Sequence, residues 1–465
     1  MTLPLHRLAR RRGAPSAVMA AILLLSGCAS FSPDGGFDKV AELTKERTGQ
    51  ATRWQRNDGE KDTAQARIAE LLAQPLSADS AVELALLNNR GLQASFAELG
   101  IAESERVRAG RLANPTISFS HLSGGGITEI DRSVLFDVLG LITMPLAREA
   151  EARRFEAVQY RAAADAVGIA AEARRAFFEA VAAQVLLGYG LQVKDAADAS
   201  NELARRMAEA GNFSPLARMR QQAFDAEAGA RLARARHQSI AARERLVRLL
   251  GLSGEQLAFE LPQRLPDLPP EPQQPKDAEQ TAMDKRLDVQ TARRSTEATA
   301  KALGLSRATG FVNVLDAGYA NKSQSGEARQ NGYTIELSLP LFDFGAANVA
   351  RAEASYMQSV HRTAQVAIDA RSEVRESYSA YRTAYELARH YRDEVVPLAK
   401  RISDENQLRY NGMLISIFDL LADTREQIAG VSAGIEALRD YWLAETDLQS
   451  ALTGGTPRAA SAINP

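Results

Sequence analysis

Apolar residues recur at helical spacing along most of this chain, and four short stretches break that rule by alternating apolar with polar positions. The first long helical pattern covers residues 77–113, with Ser77 placed to cap it and Asn114 and Pro115 placed to stop it. Alternation sets in at "TISFSHL", 116–122, which runs into the glycine-rich tip "SGGG", and a second extended stretch follows over 133–144. From Leu146 to Ala210 no proline interrupts a helical pattern of about 65 residues, close to 100 Å at the rise of an α-helix. Gly211 ends it, Ser214 caps the helix that returns, and Pro215 takes the first helical position, where its missing N–H costs nothing. The return helix closes near Gly251. The second half runs in the same order: strands over 311–320 and 333–339, a helix over 346–411, a turn at Gly412, and a return helix behind Ser416. In that last helix Leu421, Ile428, Val431, Ile435, Leu438 and Trp442, with Thr424 between, step by three and four, the period of coiled-coil packing.

The two halves align. "NNRGLQASFAELG" from Asn88 lies on "DKRLDVQTARRST" from Asp284, Pro145 falls on Pro340, and Ser214 falls on Ser416. A unit this long is no solenoid repeat but half of one architecture. The chain therefore divides into a signal peptide (1–27), an anchor segment and strap (28–76), a first repeat (77–260), a proline-rich connector (261–276), a second repeat (277–454) and a flexible tail (455–465). In the strap a single short helix is expected over 63–73. The connector, "LPQRLPDLPPEPQQP", holds too much proline for a helix or a central strand. Within each repeat two shorter helices, end to end, match the length of the long one, so they should stack along its side.

Composition narrows the class of function. The formal charge of −2 leaves no broad basic surface for nucleic acid. The N-terminus reads as a targeting segment: Arg7, Arg10, Arg11 and Arg12, then the apolar run 17–25, too short to span a bilayer. Leu25-Ser26-Gly27-Cys28 resembles the bacterial lipobox, in which the cysteine is lipidated and becomes the first residue. Cys28 is the only cysteine, so it can form no internal disulfide and is expected to carry a covalent lipid. Ala29 behind it, by the same resemblance, favours the outer membrane. Cleavage removes four arginines and no acids, taking the charge from −2 to −6 (−2 minus 4). Beyond the signal, no apolar run is expected to span a membrane as a helix.

Four strands pose a problem. Isolated hairpins are marginal in water, membrane edges must be paired, and single-chain barrels start at about eight strands. Four fit a barrel only if several chains contribute. In "TIELSL" Ile335, Leu337 and Leu339 would face lipid and Thr334, Glu336 and Ser338 a wet interior, with Tyr333 and Phe342 near the two interfaces. A small soluble β-cap with one packed face is the alternative. The lipobox, the duplicated unit, "SLPLFDFG" and the turn "RYNGMLISIFDLLAD" together resemble the TolC-type outer membrane factor family over about 75–454. That resemblance implies a mainly α fold with a small β part: a duplicated helix–β-hairpin–long-helix–helix unit, whose homotrimer forms a 12-strand β-barrel and a 12-helix α-barrel. It also implies a passive exit duct for small molecules or metal ions in a tripartite efflux system. The partners would be a periplasmic adaptor, an inner-membrane pump and outer membrane lipid, with no nucleic acid, no cofactor beyond the lipid on Cys28, and a long periplasmic extension. The rival is a periplasmic adaptor or scaffold lipoprotein, which would show one helical hairpin flanked by β-rich domains.

No catalytic constellation is expected. "DFG" at Asp343 lacks the companion motifs of a kinase and sits where a helix starts. "SGGG" precedes no helix, so it is no phosphate cradle. The five histidines lie far apart, and no metal site is expected. The candidate functional residues are therefore those of the periplasmic turns, Gly211, Ser214, Pro215, Gly412 and Ser416, and of a channel constriction, Asp419 and Asp423. Ser416 and Asp419 have capping-box spacing, so Asp419 can cap the return helix, line a ring of symmetry-related carboxylates, or do both. In the family an acid follows three residues after the first; here Ala422 stands there, Asp423 comes one later, and the first-repeat counterpart is Ala217.

Overall fold

The computed structural model describes residues 30–454, so Cys28, the signal peptide and the tail from 455 onward lie outside the described residues. The helices are α1 (Phe37–Thr48), α2 (Asp58–Leu72), α3 (Ala78–Asn88), α4 (Arg90–Ala109), α5 (Val138–Glu209), α6 (Pro215–Leu250), α7 (Ala278–Lys285), α8 (Leu287–Ala308), α9 (Ala346–His390), α10 (Val396–Asn411) and α11 (Ile417–Thr453). The strands are β1 (Thr116–Gly124), β2 (Ile127–Asp137), β3 (Val314–Gln324) and β4 (Gln330–Ser338). Two compact units emerge, and each draws on both repeats. One holds residues up to Gly36 with Gly100–Glu156 and Arg294–Ser359; the other holds Phe37–Leu99, Ala157–Arg293 and the chain from Val360.

In the first unit the four strands make one antiparallel sheet in the order β1-β2-β3-β4. Gly125 and Gly126, with φ of 59° and 82°, close the β1–β2 hairpin in two residues, the backbone that such a turn demands and glycine supplies. The join between repeats is the long-range pair β2–β3, running from Glu129 opposite Gln324 to Asp137 opposite Asp316. β2 differs from expectation: it starts at Ile127, not near 133, and stops at Asp137, whose carboxylate accepts the N–H of Gly140 at 2.6 Å and opens α5. The stretch 138–144, expected as strand, is helix, and Pro145 lies inside α5. It is the eighth residue of that helix, past the first turn, so it removes the N–H that would bond the Leu141 carbonyl. β3 and β4 lie a few residues nearer their shared loop than 311–320 and 333–339.

The second unit holds most of the core. Ala173, Ala176, Ala180 and Ala182 of α5 let Phe177, Phe178, Leu246 and Leu250 pack closely, and Phe178 stacks on Trp442 at 5.2 Å. One stretch of α5 is long and apolar enough to cross a membrane by length and composition, where none was expected, and a third of that stretch is buried. The connector is tied down by aromatics: Tyr381 accepts from the Gln273 amide at 2.8 Å, Tyr385 reaches the Pro270 carbonyl at 2.7 Å, and Trp442 the Pro266 carbonyl at 3.1 Å. The strap has two helices where one was expected. In the additional one, α1, Val40 and Leu43 are buried, and the Phe37 ring meets Phe96 edge-on at 4.9 Å.

Ser77 caps α3 with a capping box, yet the helix expected over 77–113 breaks at Asn89, which is extended with ψ of 116°. Its cause lies far along the chain. The Asn88 amide donates to the carbonyls of Leu250 and Gly251, and the Asn89 amide to Leu249, so both side chains satisfy the orphan carbonyls at the end of α6. The second repeat does the same with other chemistry: α7 and α8 part at Arg286, which donates to Ala451 O at 3.1 Å and pairs with Asp288 and Glu373, both at 2.7 Å. Each return helix ends on a left-handed glycine pressed into that break. A Cβ on Gly251 would lie 2.6 Å from the Asn88 carbonyl, and one on Gly454 2.5 Å from the Leu287 nitrogen.

The expected coiled-coil seam is only part of the packing. Ile428, Val431, Ile435, Leu438 and Trp442 are half-buried, whereas Ala437, Tyr441, Leu448 and Ala451 form the fully buried line of α11. Gly251→Ala should cost at least about 1–2 kcal/mol, from the left-handed φ of 67° before any clash is counted; thermal unfolding of the detergent-solubilised protein measures it.

Candidate channel surfaces

Directly opposed residues of antiparallel strands share a face of the sheet, so the register sorts the side chains. One face carries Ile117 and Phe119 of β1, Val134 and Phe136 of β2, Leu315 and Tyr319 of β3, and Tyr333, Ile335 and Leu337 of β4. Most of these are exposed, Tyr333 at 82% and Ile117 at 75%, a contiguous apolar face of the kind that marks a surface for another chain or a membrane. The other face carries Ser118, Ser120, Asp131, Ser133, Asp316, Lys322, Thr334 and Glu336. The alternation expected of "TIELSL" is therefore present, with Ile335 opposite Ala317 and Glu336 opposite Asp316. Phe342 is fully exposed in the turn after β4, as are Leu341 and Phe344, the last held at φ of 49°.

Charge on the polar face is uneven. Asp137, Asp316 and Glu336 stand abreast on three neighbouring strands, whereas Glu129 is paired with Lys322. Like charges directly opposite destabilise a sheet, least so where water reaches them. At the root of the sheet a cavity of about 570 Å³ is lined by Asp137, Thr143, Thr299, Asn313, Asn348 and Arg351. Among the described residues no group of three His, Cys, Asp or Glu is placed to hold a metal ion.

In the second unit the two turns are built differently. After α5, Gly211 takes φ of 76° and the Asn212 N–H reaches back to Met207 O at 2.9 Å; Ser214 then caps α6 and Pro215 begins it. After α10 the glycine is not the left-handed residue. Gly412 has φ of −77° and Met413 takes +59°, so the strained position is a methionine, 93% exposed beside an exposed Leu414. Ser416 and Asp419 form the capping box: the Asp419 carboxylate accepts from the Ser416 N–H at 3.1 Å and hydroxyl at 2.8 Å.

Asp423 is different. Its Oδ2 is buried without a hydrogen-bond partner, and so are both side-chain polar atoms of Gln221, which is 1% exposed on α6. Gln221 was missed by sequence reading. The signal was its place in the line Ala217, Gln221, Ala228, Leu232, a single amide among the buried positions of α6. Above it Asp225 binds Lys194 at 2.8 Å and Asn201 at 3.1 Å, and the lysine holds that carboxyl below the usual carboxylate range. Arg425 of α11 lies over the Phe224 ring of α6 at 4.5 Å. Between α9 and α10 the chain makes a π-turn, Tyr391–Val395, followed by Pro397, and Gly430 and Gly434 of α11 face it, with room for a Cβ at Gly434 only 3.1 Å from Val396. A π-turn beside a proline is where a long helix bends.

Residues 279–454 match the family model described as outer membrane efflux protein. That stretch falls within the second repeat, which is thus similar to outer membrane efflux proteins. The likeness of fold to solved structures extends over most of the chain. The outer membrane channel CmeC of Campylobacter jejuni superposes with a TM-score of 0.71 at 15% identity, over 82% of this chain and 87% of that one. The outer membrane protein VceC of Vibrio cholerae gives 0.66 at 17% identity, over 86% and 98%. The open-state MtrE outer membrane channel of Neisseria gonorrhoeae gives 0.66 at 17%, over 81% and 88%. No curated protein matches the chain in sequence. The fold is thus mainly α with one small sheet, as in these outer membrane proteins.

Two substitutions test the surfaces. Gln221→Met removes a buried orphan amide at nearly constant volume and should stabilise the protein by about 1 kcal/mol in thermal unfolding. Asp316→Asn takes the middle charge from the row of three and should raise the melting temperature at neutral pH, with the gain shrinking as pH falls and the carboxylates protonate.

Proposed function

We propose that three copies of this chain form a passive duct through the outer membrane and across the periplasm, and that the duct is the exit of a tripartite efflux system. A periplasmic adaptor and an inner-membrane pump would supply the other two parts and the energy. The observation that carries this is the sheet itself: its edges β1 and β4 are open, one face is apolar and exposed, and the other is polar. In lipid an open edge is forbidden. Because four strands alternate in direction, β4 of one copy can meet β1 of the next antiparallel, and three copies close a barrel of twelve. The apolar face then meets lipid and the polar face lines the pore.

The lipid on Cys28 anchors each copy, and the chain does no chemistry. Small molecules or metal ions are the cargo. The tips around Ser214 and Ser416 form the gate, with Asp419 exposed enough to act on passing cations while it caps α11. Asp423, with its orphan oxygen, belongs to the gate's packing until the tips part. The π-turn and the glycines opposite it supply the bend. An adaptor would carry one hairpin between β-rich domains, and this chain carries two hairpins with a single shared sheet.

Detergent extraction, chemical cross-linking and planar-bilayer recording test the duct. A cross-linked trimer with single-channel conductance is expected; a water-soluble monomer that conducts nothing refutes it. Asp419→Asn should weaken cation selectivity, seen as a shift in reversal potential under a salt gradient, and an unchanged potential leaves Asp419 as a cap alone.

A further inference from the structure

The apolar face of the sheet stops short of the hairpin tips. Counted from the root of the sheet, its rows hold Leu315 and Leu337, then Phe136 and Ile335, then Tyr319 and Tyr333. The next row is different: it sets Phe119 abreast of Arg132, Asn321 and Asn331. Asn321 lies six residues past Leu315, about 20 Å along the strand. Barrel strands tilt by about 35–45°, so in a barrel this row would stand roughly 15 Å above Leu315. It comes directly after the two tyrosines, the residue type that collects where hydrocarbon gives way to head groups.

Arg132 is exposed, and its guanidinium is held in place without being neutralised. Its Nη1 donates to Asn321 Oδ1 at 3.0 Å, and the group lies 5.9 Å from the centroid of the Phe119 ring. Asn321 is fixed from behind. Its amide donates to Asn331 Oδ1 at 2.8 Å and to the Gln330 carbonyl at 3.1 Å, and the Tyr319 hydroxyl donates to the same Asn331 oxygen at 2.6 Å. The acids nearest on β2, Glu129 and Asp131, alternate onto the opposite face, where Lys322 pairs with Glu129. Among the described residues Arg132 has no carboxylate partner. A guanidinium presents a planar fork of donors that fits phosphate two bonds at a time, and here only one nitrogen of the fork is engaged. One row nearer the tips the same face carries the exposed His121 of β1, and Arg329, also exposed, comes immediately before β4.

We propose that Arg132, with His121 and Arg329 beyond it, is a binding site for the phosphate group of a lipid in the outer leaflet. This rests on the duct reading, which turns the hairpin tips outward and this face toward lipid. A cation on a lipid-facing surface is costly at the midplane and tolerable only near the interface, where it can meet a counter-charge. The sheet offers none, and a lipid phosphate supplies it. The occupant is a lipid rather than a free anion because the rows below the guanidinium are apolar: acyl chains hanging from the bound head group cover Tyr319, Tyr333 and Ile335. The relay through Asn321 and Asn331 fixes the fork before the lipid arrives.

The test uses the full protein in detergent and in phosphatidylcholine vesicles with and without phosphatidic acid, whose head group is a bare phosphate monoester. Native mass spectrometry reads the lipid retained. The parent should hold phosphatidic acid about tenfold more tightly than phosphatidylcholine, and Arg132→Gln should lose that preference. Arg132→Lys should keep part of it, since the charge stays while the fork goes. Phosphatidic acid should also raise the melting temperature of the parent and leave that of Arg132→Gln where it was. Equal retention by the parent and Arg132→Gln overturns the proposal, and so does inorganic phosphate that binds as tightly as phosphatidic acid. A water-soluble monomer overturns it together with the duct, whereas a conducting trimer indifferent to phosphatidic acid overturns the lipid site alone.

Discussion

Backbone hydrogen bonding at the two open edges of a four-stranded sheet is the constraint on which the other features depend. Every N–H and C=O along the outer sides of β1 and β4 needs a partner, and the exposed apolar face is the kind of surface that a membrane or another chain covers. In the proposed duct each chain would find its missing ladder in a copy of itself, a component rather than a finished object. The polar residues on the far face then make sense as the lining of a shared space, and the row of Asp137, Asp316 and Glu336 becomes bearable once it is wet.

Duplication supplied the parts, and the two repeats have since diverged in their chemistry while keeping their geometry. Both return helices finish on a left-handed glycine wedged into a broken helix. The first repeat satisfies the helix end with two asparagine amides and the second with a buried arginine. The hairpins have diverged further: α5 runs unbroken for 72 residues, whereas its counterpart bends at a π-turn. In the proposed gate, the stiff hairpin would hold while the jointed one moves.

What could be seen in the sequence follows the range of the forces involved. Ser77, Ser214 and Ser416 announce helix starts because a cap needs only three neighbouring residues. The strand alternation, too, is local, and so were the four strands. The break at Asn89 had a local signal, since the two asparagines and Gly91 of "NNRGL" are weak helix formers, but the helix end it serves comes more than 160 residues later. The same holds for the β2–β3 pairing, which joins the repeats, and for the second strap helix, whose burial depends on Phe96. At the turns, residue type misled: a glycine stood ready at 412, and the left-handed position went to Met413. Asp419 was legible as a cap, while the solitary environment of Asp423 and Gln221 depends on packing between helices that no motif encodes.

In the proposed duct, the hairpin that closes on Gly125 and Gly126 would matter outside the cell. In a trimeric duct, the two hairpin tips of each protomer would be nearly all that stands clear of the outer leaflet, and one of them is two residues without side chains. Such a rim gives an antibody or a bacteriophage very little to grasp, so the protein would be hard to recognise from without while remaining open to traffic from within.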